Sequence, residues 1–130
     1  MLDFRIDPKS GVPPYAQIVQ QVKQALRLGW LLPGDKLPTV NEVASSIVIN
    51  PNTVQKAYKE LEQEGLVQGR PGLGTYIQRD LTQASQASLS ALGNSLRQWI
   101  LKARSSGLDD AGIMDLINAT LKSAETRASA

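Results

Sequence analysis

Two helix-start signals in quick succession constrain this chain more than any other feature. Thr39-Val40-Asn41-Glu42 is a capping-box word, in which the Thr39 hydroxyl accepts from the Glu42 amide and the Glu42 carboxylate reaches back to the Thr39 amide. Asn50-Pro51 follows as an N-cap and a first helical residue whose missing N–H costs nothing. Val43, Ala44 and Ile47 give the first of these helices an inward face. Val54, Ala57, Tyr58 and Leu61 do so for the second, which runs to about Glu64 and stops at Gly65. The short connection forces the pair to cross steeply.

The flanking segments extend this unit on both sides. Tyr15, Ile18, Val19, Val22, Ala25, Leu26 and Leu28 fall at helical spacing, with Pro13 or Pro14 at the start and Gly29 near the stop. Ahead of that helix lies an extended arm carrying Phe4 and Ile6. Pro33-Gly34-Asp35-Lys36-Leu37-Pro38 reads as a turn and a short strand. After Gly65 the period changes, and Leu66-Val67-Gln68-Gly69-Arg70 and Thr75-Tyr76-Ile77-Gln78 read as strands around Pro71-Gly72-Leu73-Gly74, where Pro then Gly suits a type II turn. The order of elements is that of a winged helix-turn-helix over residues 1–79. The fold class is mainly α with a small β wing (α+β), a shape that places one helix in a DNA groove.

Residues 80–130 read as a linker and two helices. The stretch 80–88 is rich in Ser, Gln, Ala and Thr and reads as a linker or frayed helix start. Leu89, Leu92, Leu96, Trp99 and Ile100 line one face of a first helix, Gly107 breaks it, and Asp109-Asp110 favour a new N-terminus. Ile113, Met114, Leu116, Ile117, Ala119, Thr120 and Leu121 follow on the second. Two short amphipathic helices cannot enclose a core alone, so their stripes should meet either the first domain or a second copy of the chain, and a second copy is the expected partner.

Composition narrows the chemistry. The net charge is +2, so attraction to nucleic acid must be local rather than a general basic coat. With no cysteine and no histidine, the commonest metal ligands and the commonest general base are missing, and no metal or cofactor is expected. No nucleophile-base pair or phosphate-cradling motif stands out, which argues against an enzyme. Nowhere do about 18 apolar residues run together, and no signal peptide opens the chain; the expectation is a soluble cytoplasmic protein without a membrane partner.

Taken together, residues 13–78 resemble the GntR family of bacterial transcription regulators, through Pro33-Gly34-Asp35-Lys36-Leu37-Pro38, Glu42-Val43-Ala44, Asn52-Thr53-Val54 with Ala57, Leu61-Glu62-Gln63-Glu64-Gly65-Leu66-Val67, and Gly72-Leu73-Gly74-Thr75. Pro14-Tyr15-x-Gln17-Ile18 and Ile49-Asn50-Pro51-Asn52-Thr53-Val54-x-Lys56-Ala57-Tyr58-x-x-Leu61, with only a short helical tail, look like the YtrA subfamily. MocR relatives share the second of these words but carry an aminotransferase-like domain for which this chain has no room. The resemblance implies a repressor, often of linked transporter genes, that dimerises through two C-terminal helices and has no large effector domain. Three positions depart from the family pattern: Asn41 stands where arginine is frequent, Val48 where the turn often holds glycine, and Leu73 where the wing tip is usually basic. Binding is therefore expected to be weaker, or to lean more on the recognition helix.

With its apolar positions buried, that helix leaves Asn52, Thr53, Gln55, Lys56 and Lys59 facing outward. Asn and Gln suit adenine edges, and Lys suits guanine acceptors or phosphate. Asn52 and Gln55 are the expected base or backbone readers and Lys56 a base or phosphate contact; the alternative is a solvated helix face. Asn50 and Thr39 are counted with them, though capping alone accounts for both. Arg70 is expected at the DNA backbone or minor groove, and Gly72 and Gly74 serve first as turn residues and second as points of close approach. Tyr58 and Tyr76 read as packing rather than base stacking. The expected dimer seam is Leu89, Leu92, Leu96, Trp99, Ile100, Ile113, Leu116, Ile117 and Leu121. Double-stranded operator DNA and a second copy are thus the expected partners. Rival readings are a winged helix that binds protein, and a small-molecule sensor at the C-terminal seam; no effector is identifiable from the sequence.

Overall fold

The computed structural model describes residues 2–129, with side chains through residue 125. The elements are α1 (Pro14–Arg27), α2 (Val40–Ile47), α3 (Pro51–Gln63), β1 (Val67–Arg70), β2 (Gly74–Ile77), α4 (Gln86–Ser105) and α5 (Asp110–Ser129). They fall into two compact units, Met1–Ser85 and Gln86–Ala130.

In the first unit α3 is the centre. It packs on α1, α2 and β1, and its apolar stripe closes a core with Ile18, Val22 and Leu26 of α1, Val43 and Ala44 of α2, and Leu66, Val67 and Ile77 around the wing. The helix starts are those the capping chemistry dictates. Thr39 Oγ1 accepts from the Glu42 amide at 3.1 Å while Glu42 Oε1 accepts from the Thr39 amide at 3.3 Å. Asn50 Oδ1 accepts from the Asn52 amide at 2.9 Å, with Pro51 at the first position of the helix.

The wing is a two-stranded antiparallel hairpin in which Val67 pairs with Ile77 and Arg70 with Gly74. Val67 and Ile77 are buried, so Gln68, Arg70 and Tyr76 share the opposite face. The Leu73 amide donates to the Arg70 carbonyl at 2.9 Å across Pro71-Gly72, and Gly72 takes φ 75°, as a type II turn requires.

Several expectations need correction. The segment Pro33 to Pro38 forms a single antiparallel bridge, Lys36 to Tyr76, rather than a strand. It borders the wing through Gly34 N–H to Ile77 carbonyl and Leu37 N–H to Thr75 carbonyl, both 2.8 Å, and Pro38 has no amide with which to extend the ladder. Leu28 is 41% exposed because it caps α1 and lies past the last turn of its apolar stripe. The arm is extended but fastened: Phe4 is buried, and Gln17 and Gln21 bond to the backbone of Asp7 and Arg5.

In the second unit α4 begins at Gln86, within the stretch read as a linker or frayed helix start, because Gln, Ala, Ser and Leu sustain a helix without a strong apolar stripe. Both α4 and α5 are 20 residues long, not short. They come together at their connecting turn, where Ala103 and Ile113 are buried and Arg104 reaches Asp110 at 3.0 Å. Between them lies an open groove of about 370 Å³, lined by Leu96, Trp99, Leu116, Ile117, Thr120, Leu121 and Ala124.

Candidate nucleic-acid interface

The site is built outward from the buried side of α3. Val54, Ala57 and Leu61 are fully buried, and Tyr58 is nearly so, its hydroxyl donating to the Pro38 carbonyl at 2.6 Å. Burial, with a further contribution from the Glu42 carboxylate, holds the Tyr58 phenol well above its usual pKa. This anchoring fixes the rotation of the helix about its axis. Asn52, Gln55, Lys56 and Lys59 therefore face solvent together, and Thr53 is half-buried beside them. Asn50 and Thr39 are exposed at the starts of α3 and α2, and both spend an oxygen on a backbone amide; the Thr39 hydroxyl proton and the Asn50 amide group stay free to donate.

Two cations on this surface are held by tyrosine rings. Lys56 Nζ sits 4.0 Å from the centroid of Tyr15 at the start of α1, and the Arg70 guanidinium lies 4.6 Å from the centroid of Tyr76 on the wing. Neither contact was foreseen. Tyr15 joins the apolar stripe of α1 and Tyr76 the alternation of β2, and no periodicity shows which cation a ring's free face will meet. Arg70 and Tyr76 are diagonal neighbours on the exposed face of the hairpin, a relation readable once the register is known.

At the wing tip Gly72 and Gly74 both take positive φ, and a Cβ on Gly74 would stand 2.6 Å from Lys36 Cε. Leu73, 61% exposed, occupies the tip. The turn entering α3 is held by Val48 at φ 53° and 87% exposed, a β-branched residue in the left-handed region. Behind the site, the C-terminal end of α3 is tied down by Lys23 to Glu64 at 2.9 Å and by Arg79, which donates to the Glu64 carbonyl at 3.0 Å.

Of the expected seam residues in the second unit, Leu92, Leu96, Leu116 and Leu121 are exposed, at 64%, 48%, 44% and 63%. Leu89, Trp99, Ile100 and Ile117 are half-buried. Ile113 is buried at the corner of its own helical pair. Among the described residues no cluster of potential metal ligands forms, and no helix is long and apolar enough to cross a membrane.

Comparison with known proteins places this geometry. Residues 14–77 match the model for bacterial regulatory proteins of the gntR family. The HTH-type transcriptional repressor YtrA of Bacillus subtilis is 44% identical over 82% of this chain and 82% of its own. A solved structure of YtrA from Sulfolobus acidocaldarius, a GntR-family transcription factor, superposes with a TM-score of 0.54 at 32% identity, covering 92% of this chain and 97% of that one. The DNA-binding domain of AraR, solved in complex with operator ORX1, matches with a TM-score of 0.52 at 28% identity over 59% of this chain and 99% of its own. Anchored recognition helix, wing and relatives agree: the chain is a member of the GntR family of bacterial transcription regulators, within its YtrA subfamily.

Proposed function

We propose that this chain is a transcriptional repressor that binds an inverted-repeat operator as a homodimer, with α3 in the major groove and the wing along the backbone. The observation that carries the reading is the fixed polar face of α3. Asn52 and Gln55 lie exposed in its first turns, on a helix whose opposite side is wholly committed to the core, and the N-terminal residues of a recognition helix are those that reach base edges. Asn52 and Gln55 read bases, Lys56 and Lys59 meet base acceptors or phosphates, Thr39, Asn50 and Thr53 add backbone contacts, and Arg70 with Gly72 and Gly74 follows the sugar-phosphate edge.

One such helix covers too few base pairs to find a site in a genome. The open apolar groove between α4 and α5 supports a second copy as the remedy. Two-fold symmetry then sets half-sites about one helical turn apart. Kinship with the YtrA subfamily supports transporter genes as targets and a cytoplasmic setting.

The test is titration of duplexes from the promoter of its own gene. Asn52→Ala or Gln55→Ala should cost about 1–3 kcal/mol per half-site and relax preference there. Equal losses on operator and random DNA would reassign these side chains to phosphate, and absence of salt-dependent duplex binding by the native chain would refute the reading.

A further inference from the structure

We propose that Tyr15 and Tyr76 are positioning residues for DNA binding, each holding a cation on its ring face so that Lys56 of α3 and Arg70 of the wing are already in place when phosphates arrive. This rests on the DNA-facing reading of α3 and the wing. The structural observation is the pair of ring contacts, 4.0 Å for Lys56 over Tyr15 and 4.6 Å for Arg70 over Tyr76, one on each element that would touch the duplex.

The chemistry of the seat is what makes it suitable. Lysine and arginine carry the most rotamer freedom of any side chains, and a cation that roams must be immobilised on binding. A carboxylate partner would hold it but would neutralise it, and that pair would have to break before a phosphate was met. A ring face holds the cation through its quadrupole while leaving the charge intact. Lysine keeps donors directed away from the ring, and a stacked guanidinium keeps its in-plane N–H fork for an anion. The ion pairs found on the described residues, Lys23 with Glu64 and Arg104 with Asp110, involve neither cation.

Nothing in the core requires these contacts. α1 is fastened to α3 by Ile18, Val22 and Leu26, all fully buried, whereas Tyr15 is half-buried, packed at the edge of that core with Lys56 over its ring. The hairpin is likewise closed by Val67 and Ile77 on its inner face, and Arg70 and Tyr76 lie on the outer one. Lys59 is exposed on the same helix and makes no ring contact among those found, which provides an internal control.

The experiment uses the full chain with Tyr15→Phe, Tyr15→Leu, Tyr76→Phe and Tyr76→Leu. In the free protein, NMR should find the Lys56 ε-methylene protons shifted upfield by the ring current, unchanged in Tyr15→Phe and returned to the ordinary lysine position in Tyr15→Leu. Ordinary shifts in the native chain overturn the proposal without reference to DNA. On operator DNA each leucine variant should bind about 2- to 5-fold more weakly per half-site, about 4- to 25-fold for a dimer on both, with the slope of log K against log salt unchanged because both cations remain. The phenylalanine variants should bind as the native chain does. A loss in Tyr15→Phe as large as in Tyr15→Leu would overturn the proposal, by making the hydroxyl the contact. A double-mutant cycle guards against a merely structural effect: Tyr15→Leu should cost nothing further in a Lys56→Ala background and its full amount in a Lys59→Ala background, and equal losses in both overturn the proposal. A native chain that binds no duplex refutes the DNA reading itself, and its own titration separates that outcome from loss of the seats.

Discussion

The helices α3 and α4 both carry an apolar stripe, sharper on α3, and the two meet opposite fates. On α3 the stripe of Val54, Ala57, Tyr58 and Leu61 is closed over by α1, α2 and the wing, all within one chain. On α4 and α5, Leu92, Leu96, Leu116 and Leu121 remain 44–64% exposed beside an open groove. A periodic stripe reports that a face must be covered and not by what. In the first unit the cover is intramolecular, so its stability should be independent of protein concentration. In the second, on the proposed reading, a second copy supplies the cover, so its order should grow with concentration.

Substitutions sharpen the contrast, beginning with the largest effect. Leu61→Ala should destabilise the first unit by about 2–5 kcal/mol in a denaturant titration, with a midpoint that does not move on dilution. Leu121→Ala, on an exposed position, should leave that midpoint in place and change only concentration-dependent behaviour. A Leu61→Ala loss that vanished at high concentration would break the comparison.

Tyr58→Phe comes next. It strands the Pro38 carbonyl and should cost about 1–3 kcal/mol. It also has a pH signature. The folded phenol holds its proton above the pH of about 10 at which an unfolded tyrosine loses it, so its contribution is intact below about pH 10 and falls as pH rises further. The native chain should show this alkaline loss in a series of melts, and Tyr58→Phe should flatten it.

Smaller effects belong to the helix ends. Thr39→Ala removes one half of the capping box and should cost about 1 kcal/mol by chemical denaturation. Val48→Gly has the opposite sign. Relief of about 1–2 kcal/mol of left-handed strain outweighs about 0.5–1 kcal/mol of added chain entropy, for a net gain of about 0.5–1 kcal/mol and a higher melting temperature.

Which features were legible in the sequence follows the distance over which they are encoded. The capping box at Thr39 and Glu42, the Asn50-Pro51 start and the Pro71-Gly72 turn are each made by residues within a few positions of one another, and their chemistry alone predicts the element. The exposed face of α3 followed once its buried face was assigned. What could not be read joins distant residues. Gln17 and Gln21 resemble ordinary surface glutamines until the arm lies beside them. Tyr15 and Lys56 are brought together only by the packing of α1 on α3. The bridge at Lys36 was overread as a strand because apolar Leu37 signals burial, and only the position of Pro38 limits the ladder.

The central claim is that a second copy closes the α4–α5 stripe and thereby supplies a second recognition helix. Sedimentation of the operator complex tests it most directly, comparing the native chain with a Leu96→Asp, Leu121→Asp variant, both positions being exposed and remote from α3 in sequence. The account predicts two native chains per operator, and for the variant a single weakly bound chain or none, with the denaturation midpoint of the first unit unchanged. A variant that still places two chains on the operator with native affinity would contradict it.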